Sequence, residues 1–380
     1  MLSKEENERL TRVGPGTPCG ELLRRYWQPI AIASELTPER PKQRVTVLGE
    51  ELVVFRDAQG RYGCLAEHCA HRGVSLYYGF VEDCGLRCAY HGWKFGTADG
   101  QCLEQPFEPV GSTFKERVRQ RAYPVQKLAG LLFVYMGPPP APLLPRWDVL
   151  VREDGVRKIE IRPPLKCNWL QAQENTADTV HTYYLHGHMM RVQGIDDGAY
   201  YYRPIEKYEW GLCEWGVTKA CYYGGDRPEV EVRPPLVFPN ILRIPAGRLE
   251  CLHWRVPVDD THTRTFMITF LPDPEGRILP QPDDPPVVYW GPDSDMLPNG
   301  EYNLTTFHAQ DKMAWETQGA LYDRSQEHLG ATDRGIVLFR KLLAEQIKVV
   351  EEGGEPMALV RDPAKNECIT FDATAPVAAR

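Results

Sequence analysis

Residues 69–93 read CAHRGVSLYYGFVEDCGLRCAYHGW. Two short pairs stand in this stretch, Cys69-x-His71 and Cys88-x-x-His91, and sixteen residues separate them. A glycine follows each histidine closely, at Gly73 and Gly92. Glycine supplies the backbone freedom of a tight turn, so both pairs belong on turns. Two thiols and two imidazoles on paired turns can hold one metal centre. Zinc sites usually group cysteine with cysteine and histidine with histidine. Here each turn supplies one of each, which suits a [2Fe–2S] centre with two thiolates on one iron and two imidazoles on the other. A Cys2His2 zinc site stays as the alternative.

The chain has 380 residues, 42% of them hydrophobic and 25% charged, which is ordinary globular usage. That length predicts two domains. The net charge is −8 without a basic block, so neither nucleic acid nor an anionic membrane is an expected partner. The opening MLSKEENERL lacks the apolar core of a signal peptide. LAGLLFVYMG at 128–137 falls far short of the ~20 apolar residues that cross a bilayer. The expectation is a soluble, cytoplasmic protein, in which the eleven cysteines serve as thiols and ligands rather than as disulfides.

Residues 1–40 read as a helical segment. Ser3 and Glu6 form a capping box, Gly14-Pro15-Gly16 stops the first helix, and a second helical piece covers 18–27. Residues 41–148 read as an all-β domain. RVTVLGEELVVF, YGCLAEH, GLRCAYHGWKF and AGLLFVYMG are its strands, with turns such as Asp57–Gly60 and Asp99-Gly100 between them. The Pro-rich connector GPPPAPLLPRWD at 137–148 marks the boundary. Residues 149–380 read as an α+β domain. NWLQAQENTADTVHTYYL (168–185) is helical, and CLHWRVPV and TRTFMITFLP pair around Asp259-Asp260. A helix over 332–354 starts at Thr332 or Asp333 and ends at Gly353-Gly354.

The second domain carries Asp178-x-x-His181-x4-His186. Two histidines and one carboxylate make a facial triad that holds Fe(II) and leaves positions open. Asp178 and His181, three apart, share a helix face. His186 lies five beyond His181 and turns away on a regular helix. The spacing therefore predicts that the helix ends there, with Gly187 permitting the break. His188 is a rival for the second histidine.

C-x-H-R-G followed by C-x-x-H-G-W resembles the Rieske domain of aromatic-ring oxygenases. The respiratory Rieske protein differs, because its bracing disulfide would fall at Val74 and Tyr90. Together with the iron motif, RVGPGTP, RRYWQP, CNWLQA and QDKMAWETQG…DR…EHLG…DR extend the resemblance over the chain. It points to the α subunit of Rieske non-haem iron oxygenases, in the branch of phthalate 4,5-dioxygenase and aryl O-demethylases. The resemblance implies a helix-grip catalytic domain, a cluster on Cys69, His71, Cys88 and His91, and a mononuclear Fe(2+) on His181 and His186. The third ligand is expected downstream among Asp311, Glu316, Asp323 and Glu327; Asp311 is chosen and Glu316 is the runner-up. Asp178 is implied to bridge His181 to His91 of a neighbouring subunit, with Asn175 and Gln171 on the active-site wall.

The activity so implied is that of a terminal oxygenase. It uses O2 and electrons from a separate NAD(P)H-dependent reductase, with or without a ferredoxin, to hydroxylate, dihydroxylate or O-demethylate a carboxylated or methoxylated aromatic. The implied assembly is a homotrimer. Arg191, Arg203, Arg243 and Arg248 are candidates to clamp a substrate carboxylate, against the plainer reading that each is a surface residue. The alternative of another class is a Rieske-type electron carrier whose second domain has no catalytic role.

Overall fold

The computed structural model describes residues 2–195, 201–224, 229–246 and 249–371. The chain divides into two compact units. One comprises 24–144 with 282–284; the other comprises 1–23, 145–281 and 285–380. Within the segment read as helical over 1–40, helix occupies α1 (Lys4–Thr11) and α2 (Pro18–Leu23), and the chain from Gln28 is already strand. Ser3 and Glu6 cap α1 reciprocally. The first 23 residues belong to the larger unit because their polar groups are met there. Asn7 donates to Tyr322 O (2.9 Å), and Arg12 and the Val13 N–H both reach Asp260 at 2.9 Å.

The smaller unit is built from β1 (Gln28–Ile32), β2 (Lys42–Val47), β3 (Glu50–Arg56), β4 (Tyr62–Ala66), β5 (Phe80–Glu82), β6 (Gly85–Arg87), β7 (Lys94–Gly96), β8 (Cys102–Glu104), β9 (Ala122–Tyr123), β10 (Val125–Leu128) and β11 (Leu131–Val134). They form antiparallel sheets in the orders β2-β3-β4-β9, β5-β6-β7-β8 and β1-β11-β10. RVTVLGEELVVF, read as one strand, is a hairpin, and AGLLFVYMG opens on the turn of another whose first strand precedes it. Leu48-Gly49 (φ 50° and 73°) turns β2 into β3, and Ala129-Gly130 (φ 49° and 78°) turns β10 into β11. Two left-handed residues in a two-residue loop are what the right-handed twist of a hairpin favours. Val53, Phe55, Leu65, Leu76, Leu86 and Phe95 form the core, and the Cys69 and Cys88 side chains are buried within it.

The larger unit contains α3 (Asp148–Val151), β12 (Gly155–Ile161), α4 (Trp169–Ala177), α5 (Met189–Val192), β13 (Ile205–Cys213), β14 (Gly216–Tyr223), β15 (Glu229–Val237), β16 (Ile241–Ala246), β17 (Leu249–Pro257), β18 (Thr263–Pro272), β19 (Val287–Tyr289), α6 (Phe307–Glu316) and α7 (Arg334–Glu351). The strands form one sheet in the order β13-β14-β15-β16-β17-β18-β12-β19, antiparallel except for the β12–β19 pair. This antiparallel sheet with helices packed on it, joined in one chain to an all-β unit, is the α+β architecture expected from the sequence.

Polar side chains fasten α4 to the sheet. Arg255 on β17 donates to Gln173 Oε1 (3.2 Å) and to Thr176 Oγ1. Lys219 on β14 donates to Thr176 O (2.5 Å) and Trp210 on β13 to Ala177 O (3.0 Å). Lys219 and Trp210 thereby satisfy carbonyls that a helix C-terminus leaves without partners. Asn168 caps the other end by accepting from Leu170 N at 3.1 Å.

Beneath α4 lies a buried ion cluster. Glu174 receives Arg324 (2.8 Å) and Arg340 (2.5 Å), and Arg340 also pairs with Glu327. Burial by itself would raise the Glu174 carboxyl, but the two guanidinium groups hold it below its ordinary range. Removing one member of such a cluster leaves an opposite charge buried and underpaired, at a cost of about 3–5 kcal/mol. Arg324→Leu should therefore lower stability by about that amount, read as a shift in the denaturant midpoint. A change below about 0.5 kcal/mol, the range of ordinary surface substitutions, would show that the cluster carries no weight. Because the Glu174 pKa is depressed on folding, its contribution is complete above the unfolded value of about 4.3. It is lost as pH falls through the folded value.

Candidate functional site

The two cysteine–histidine loops close in the same way. Cys69 O accepts from Gly73 N (2.8 Å) while Cys69 N donates to Val74 O (2.9 Å); Cys88 O accepts from Gly92 N (3.0 Å) while Cys88 N donates to Trp93 O (2.8 Å). Gly73 (φ 74°) and Gly92 (φ 72°) take the left-handed conformation that this closure needs. Both thiols are buried, 3% exposed each, and the His71 and His91 rings lie 4.7 Å apart. Trp93 stacks on His71 at 4.1 Å and Tyr90 lies 3.8 Å from His91.

Burial pushes the Cys69 thiol up to about 11. Backbone N–H groups of His71 and Arg72 pull it down, and neighbouring Cys88 pushes it up. A bound cation lowers the pKa of a coordinating thiol enough to displace its proton, so a metal centre would hold both as thiolates. His91 Nδ1 is buried without a hydrogen-bond partner. The four side chains thus fit a [2Fe–2S] cluster with thiolates inside and imidazoles toward the surface.

Sequence reasoning missed two residues that brace these loops. Gln120, 2% exposed, accepts from Ala70 N (2.7 Å) and donates to Ala66 O and His68 O (2.7 and 2.9 Å). Arg87 donates to Gly92 O (2.7 Å) while paired with Glu82 and Glu104. A lone glutamine fifty residues from the loop it supports carries no local sequence signal. Arg87, next to Cys88, was open to notice.

The second constellation forms at the end of α4. Asp178 is not on the helix: its backbone is extended, and Oδ1 accepts from Val180 N at 2.8 Å. Nor does the chain break at Gly187. Residues Thr182–His188 form a π-helical turn that runs directly into α5. Its i→i+5 closure stacks residues five apart, which brings His186 back over His181; the ring centroids lie 5.3 Å apart. Gly187 serves a close approach instead, because a Cβ there would stand 2.7 Å from Tyr202 N.

The donor atoms of His181, His186 and Asp311 lie within 4.8 Å of one another. Asp311 Oδ1 is 3.3 Å from His186 Nε2 and 4.0 Å from His181 Nε2. The far nitrogens both face acceptors, His186 within a hydrogen bond and His181 at ion-pair distance only. His186 Nδ1 meets Gln310 Oε1 at 2.8 Å, and His181 Nδ1 lies 3.3 Å from Asp178 Oδ2. Orientation of each imidazole through its other nitrogen is the usual support of a metal-binding histidine, so this donor set fits one divalent ion. Burial would raise the Asp311 carboxyl, but His186, His181 and Arg255 keep it below its ordinary range.

The other candidates are engaged elsewhere. Glu316 accepts from Lys166 N (2.8 Å) and Tyr302 (3.0 Å), Glu327 belongs to the ion cluster, and Asp323 accepts from Ser325 in a local turn. Gln171 joins α4 to the end of α6 through Trp315 O and Gly319 O, both at 2.9 Å, which is a structural duty rather than a wall position. Asn175 stays at the triad, 3.4 Å from Asp311 Oδ1. Arg243 is buried between Asp148 and Glu250. Arg203 pairs with Glu229, Arg191 lies over the Tyr202 ring at 4.6 Å, and Arg248 falls outside the described residues. Gln310 was missed; its place beside Asp311 in the sequence was the signal.

Comparison with known proteins agrees with both halves. Residues 26–120 match the family model described as Rieske [2Fe-2S] domain, and residues 287–378 match that described as LigXa C-terminal domain like. The chain is 38% identical over 379 residues to the 5,5'-dehydrodivanillate O-demethylase oxygenase subunit of Sphingobium sp., covering 97% of this chain and 86% of that protein. It is 32% identical over 390 residues to the phthalate 4,5-dioxygenase oxygenase subunit of Pseudomonas putida, covering 93% and 88%. The solved reduced complex between oxygenase and ferredoxin in carbazole 1,9a-dioxygenase shares the fold, with a TM-score of 0.62 at 21% identity over 94% of this chain and 99% of that one. No helix among the described residues is long and apolar enough to cross a membrane. Similarity of this extent to whole oxygenase subunits means that the chain belongs to the Rieske non-haem iron oxygenase family.

Proposed function

We propose that the chain oxidises an aromatic substrate bearing a methoxy or carboxylate group, with O2 and with electrons from a separate NAD(P)H-dependent reductase, directly or through a ferredoxin. The observation that carries this reading is the convergence of His181, His186 and Asp311 in a second unit, apart from the cysteine–histidine loops. An electron carrier would need no such triad. When bound, the [2Fe–2S] cluster supplies single electrons and the mononuclear iron supplies the site of O2 activation.

The residues of this chain would do the rest. Cys69, His71, Cys88 and His91 would hold the cluster, and His181, His186 and Asp311 the iron. Gln310 and Asp178 would fix the two imidazole tautomers so that each Nε2 faces the metal. Asp178 would also join the two centres, by accepting from His181 of its own chain and from His91 of a neighbouring copy in a head-to-tail homotrimer. The relatives reported above, an O-demethylase and a phthalate dioxygenase subunit, support a methoxylated or carboxylated arene. The test is O2 uptake with a surrogate reductase over a panel of such compounds. We expect formaldehyde to appear in step with O2 consumption on a methoxylated arene; tight coupling only to a non-aromatic compound would overturn the assignment.

The iron triad can be tested separately. His181→Ala, His186→Ala and Asp311→Ala should each lose the mononuclear iron and turnover while keeping the visible spectrum of the cluster. Glu316→Ala should retain that iron. Loss of iron from Glu316→Ala but not from Asp311→Ala would move the third ligand to Glu316.

The link between copies predicts two further results. Asp178→Asn should keep both metals yet slow re-oxidation of the reduced cluster by about 10–100-fold. Cys69→Ala and His181→Ala, each inactive alone, should recover partial activity when co-expressed. If purified mixed oligomers stay inactive although both variants fold and assemble, transfer between subunits is wrong.

A further inference from the structure

We propose that Arg87 and Lys94, two cations at the foot of the second cysteine–histidine loop, raise the reduction potential of the cluster, and that Glu104 moderates them. This rests on the cluster reading above and concerns how readily the cluster accepts an electron.

The pair stands where sheet stability alone would not place it. β6 ends at Arg87, β7 begins at Lys94, and the loop carrying Cys88 and His91 runs between them. Arg87 and Lys94 are partners in register, and Lys94 is in turn partnered with Glu104 on β8. The three therefore form a row on one face of the sheet. Like charges directly opposite one another destabilise a sheet. Carboxylates on either side hold these two in place. Glu82 receives Arg87 at 2.5 and 2.9 Å and Lys94 at 3.0 Å. Glu104 receives Arg87 at 2.6 Å and lies 3.6 Å from Lys94, while Asp83 lies 3.3 Å from Lys94.

Three carboxylates face two cations, but burial separates them. The side chains of Lys94 and Arg87 are 6% and 19% exposed; those of Glu82, Glu104 and Asp83 are 31%, 50% and 68% exposed. Water and salt screen exposed charges more strongly than buried ones, so the field at the foot of the loop is that of the cations. Arg87 also touches the loop. Its Nη1 donates to Gly92 O at 2.7 Å, while Gly92 N donates to Cys88 O at 3.0 Å. The residue held in this way follows His91 directly. A guanidinium stays protonated at any working pH, so the hydrogen bond brings a fixed charge with it. The first loop is braced instead by the neutral amide of Gln120.

An electron added to the cluster adds negative charge there. A nearby cation stabilises that reduced form, and a nearby carboxylate opposes it.

The test is a redox titration of the purified, cluster-containing protein, followed by the electron paramagnetic resonance signal of the reduced cluster. Arg87→Gln keeps a donor for Gly92 O but has no charge. At a fixed potential it should lower the ratio of reduced to oxidised cluster about tenfold, which is about 59 mV for one electron. Arg87→Lys keeps the charge without the fork and should stay within about twofold of the unaltered protein. Glu104→Gln, at a half-exposed site, should raise the ratio by about threefold. A brace with a structural role alone would lower stability without moving the potential in opposite directions. Iron content and the visible spectrum establish that each variant holds its cluster. If Arg87→Gln does not, Lys94→Gln takes its place and should shift the ratio the same way. The proposal is overturned by an unmoved potential in Glu104→Gln, by a shift of the cation and carboxylate variants in one direction, or by Arg87→Lys falling as far as Arg87→Gln. An unaltered protein without the signal would end the cluster reading as well.

Discussion

Two histidines five residues apart cannot face one metal from a regular α-helix. At about 100° per residue, an α-helix would turn His186 roughly 140° away from His181. The π-turn Thr182–His188 removes most of that angle, and the ring centroids come to 5.3 Å. Such turns are rare and cluster at functional sites. Here α4 stops at Ala177, Asp178 folds back to accept from Val180 N, and Gly187 gives way to the backbone of Tyr201 and Tyr202. A substitution that restored regular helix across this turn would leave His181, His186 and Asp311 present and their donor atoms dispersed.

Keeping the π-turn in place requires a rigid α4, and the rigidity comes from charge rather than from oil. Arg255, Lys219 and the Glu174 carboxylate are all buried on or against α4. Each answers a group that would otherwise be unsatisfied: side-chain acceptors for Arg255, terminal carbonyls for Lys219, two guanidinium groups for Glu174. Polar contacts of this kind have narrow geometry, so they specify one register of helix on sheet more tightly than apolar packing does. The neighbouring apolar cluster of Leu165, Cys167, Ala172 and Trp315 fills space around them.

Legibility in the sequence followed distance along the chain. The cluster loops were readable because four donors and two turn glycines fall within 25 residues, and their chemistry is local. His181 and His186 were readable as residues but not as geometry: the spacing excluded an α-helix, and a helix end was the simpler inference. The hairpins at Leu48-Gly49 and Ala129-Gly130 were read as strand because leucine and alanine seldom take positive φ. Asp311 was drawn from a resemblance, since nothing local separates it from Glu316, and what brings it to the histidines is the packing of α6. Gln310 and Gln120 were missed for a related reason. An amide that orients a ring or a loop acts across the fold, and its own neighbours in sequence do not report it.

The contact of Asn7 with Tyr322 and Arg324 has a consequence for synthesis. The first 23 residues leave the ribosome before the whole of the smaller unit, yet they fold onto partners encoded some three hundred residues later. At about 5–20 residues per second that wait is on the order of 15–60 s. Meanwhile residues 24–144 are complete and can close on their own core. The smaller unit is thus an insertion in time as well as in sequence, and iron–sulfur insertion can begin while the N-terminal helices still lack the surface they will cover.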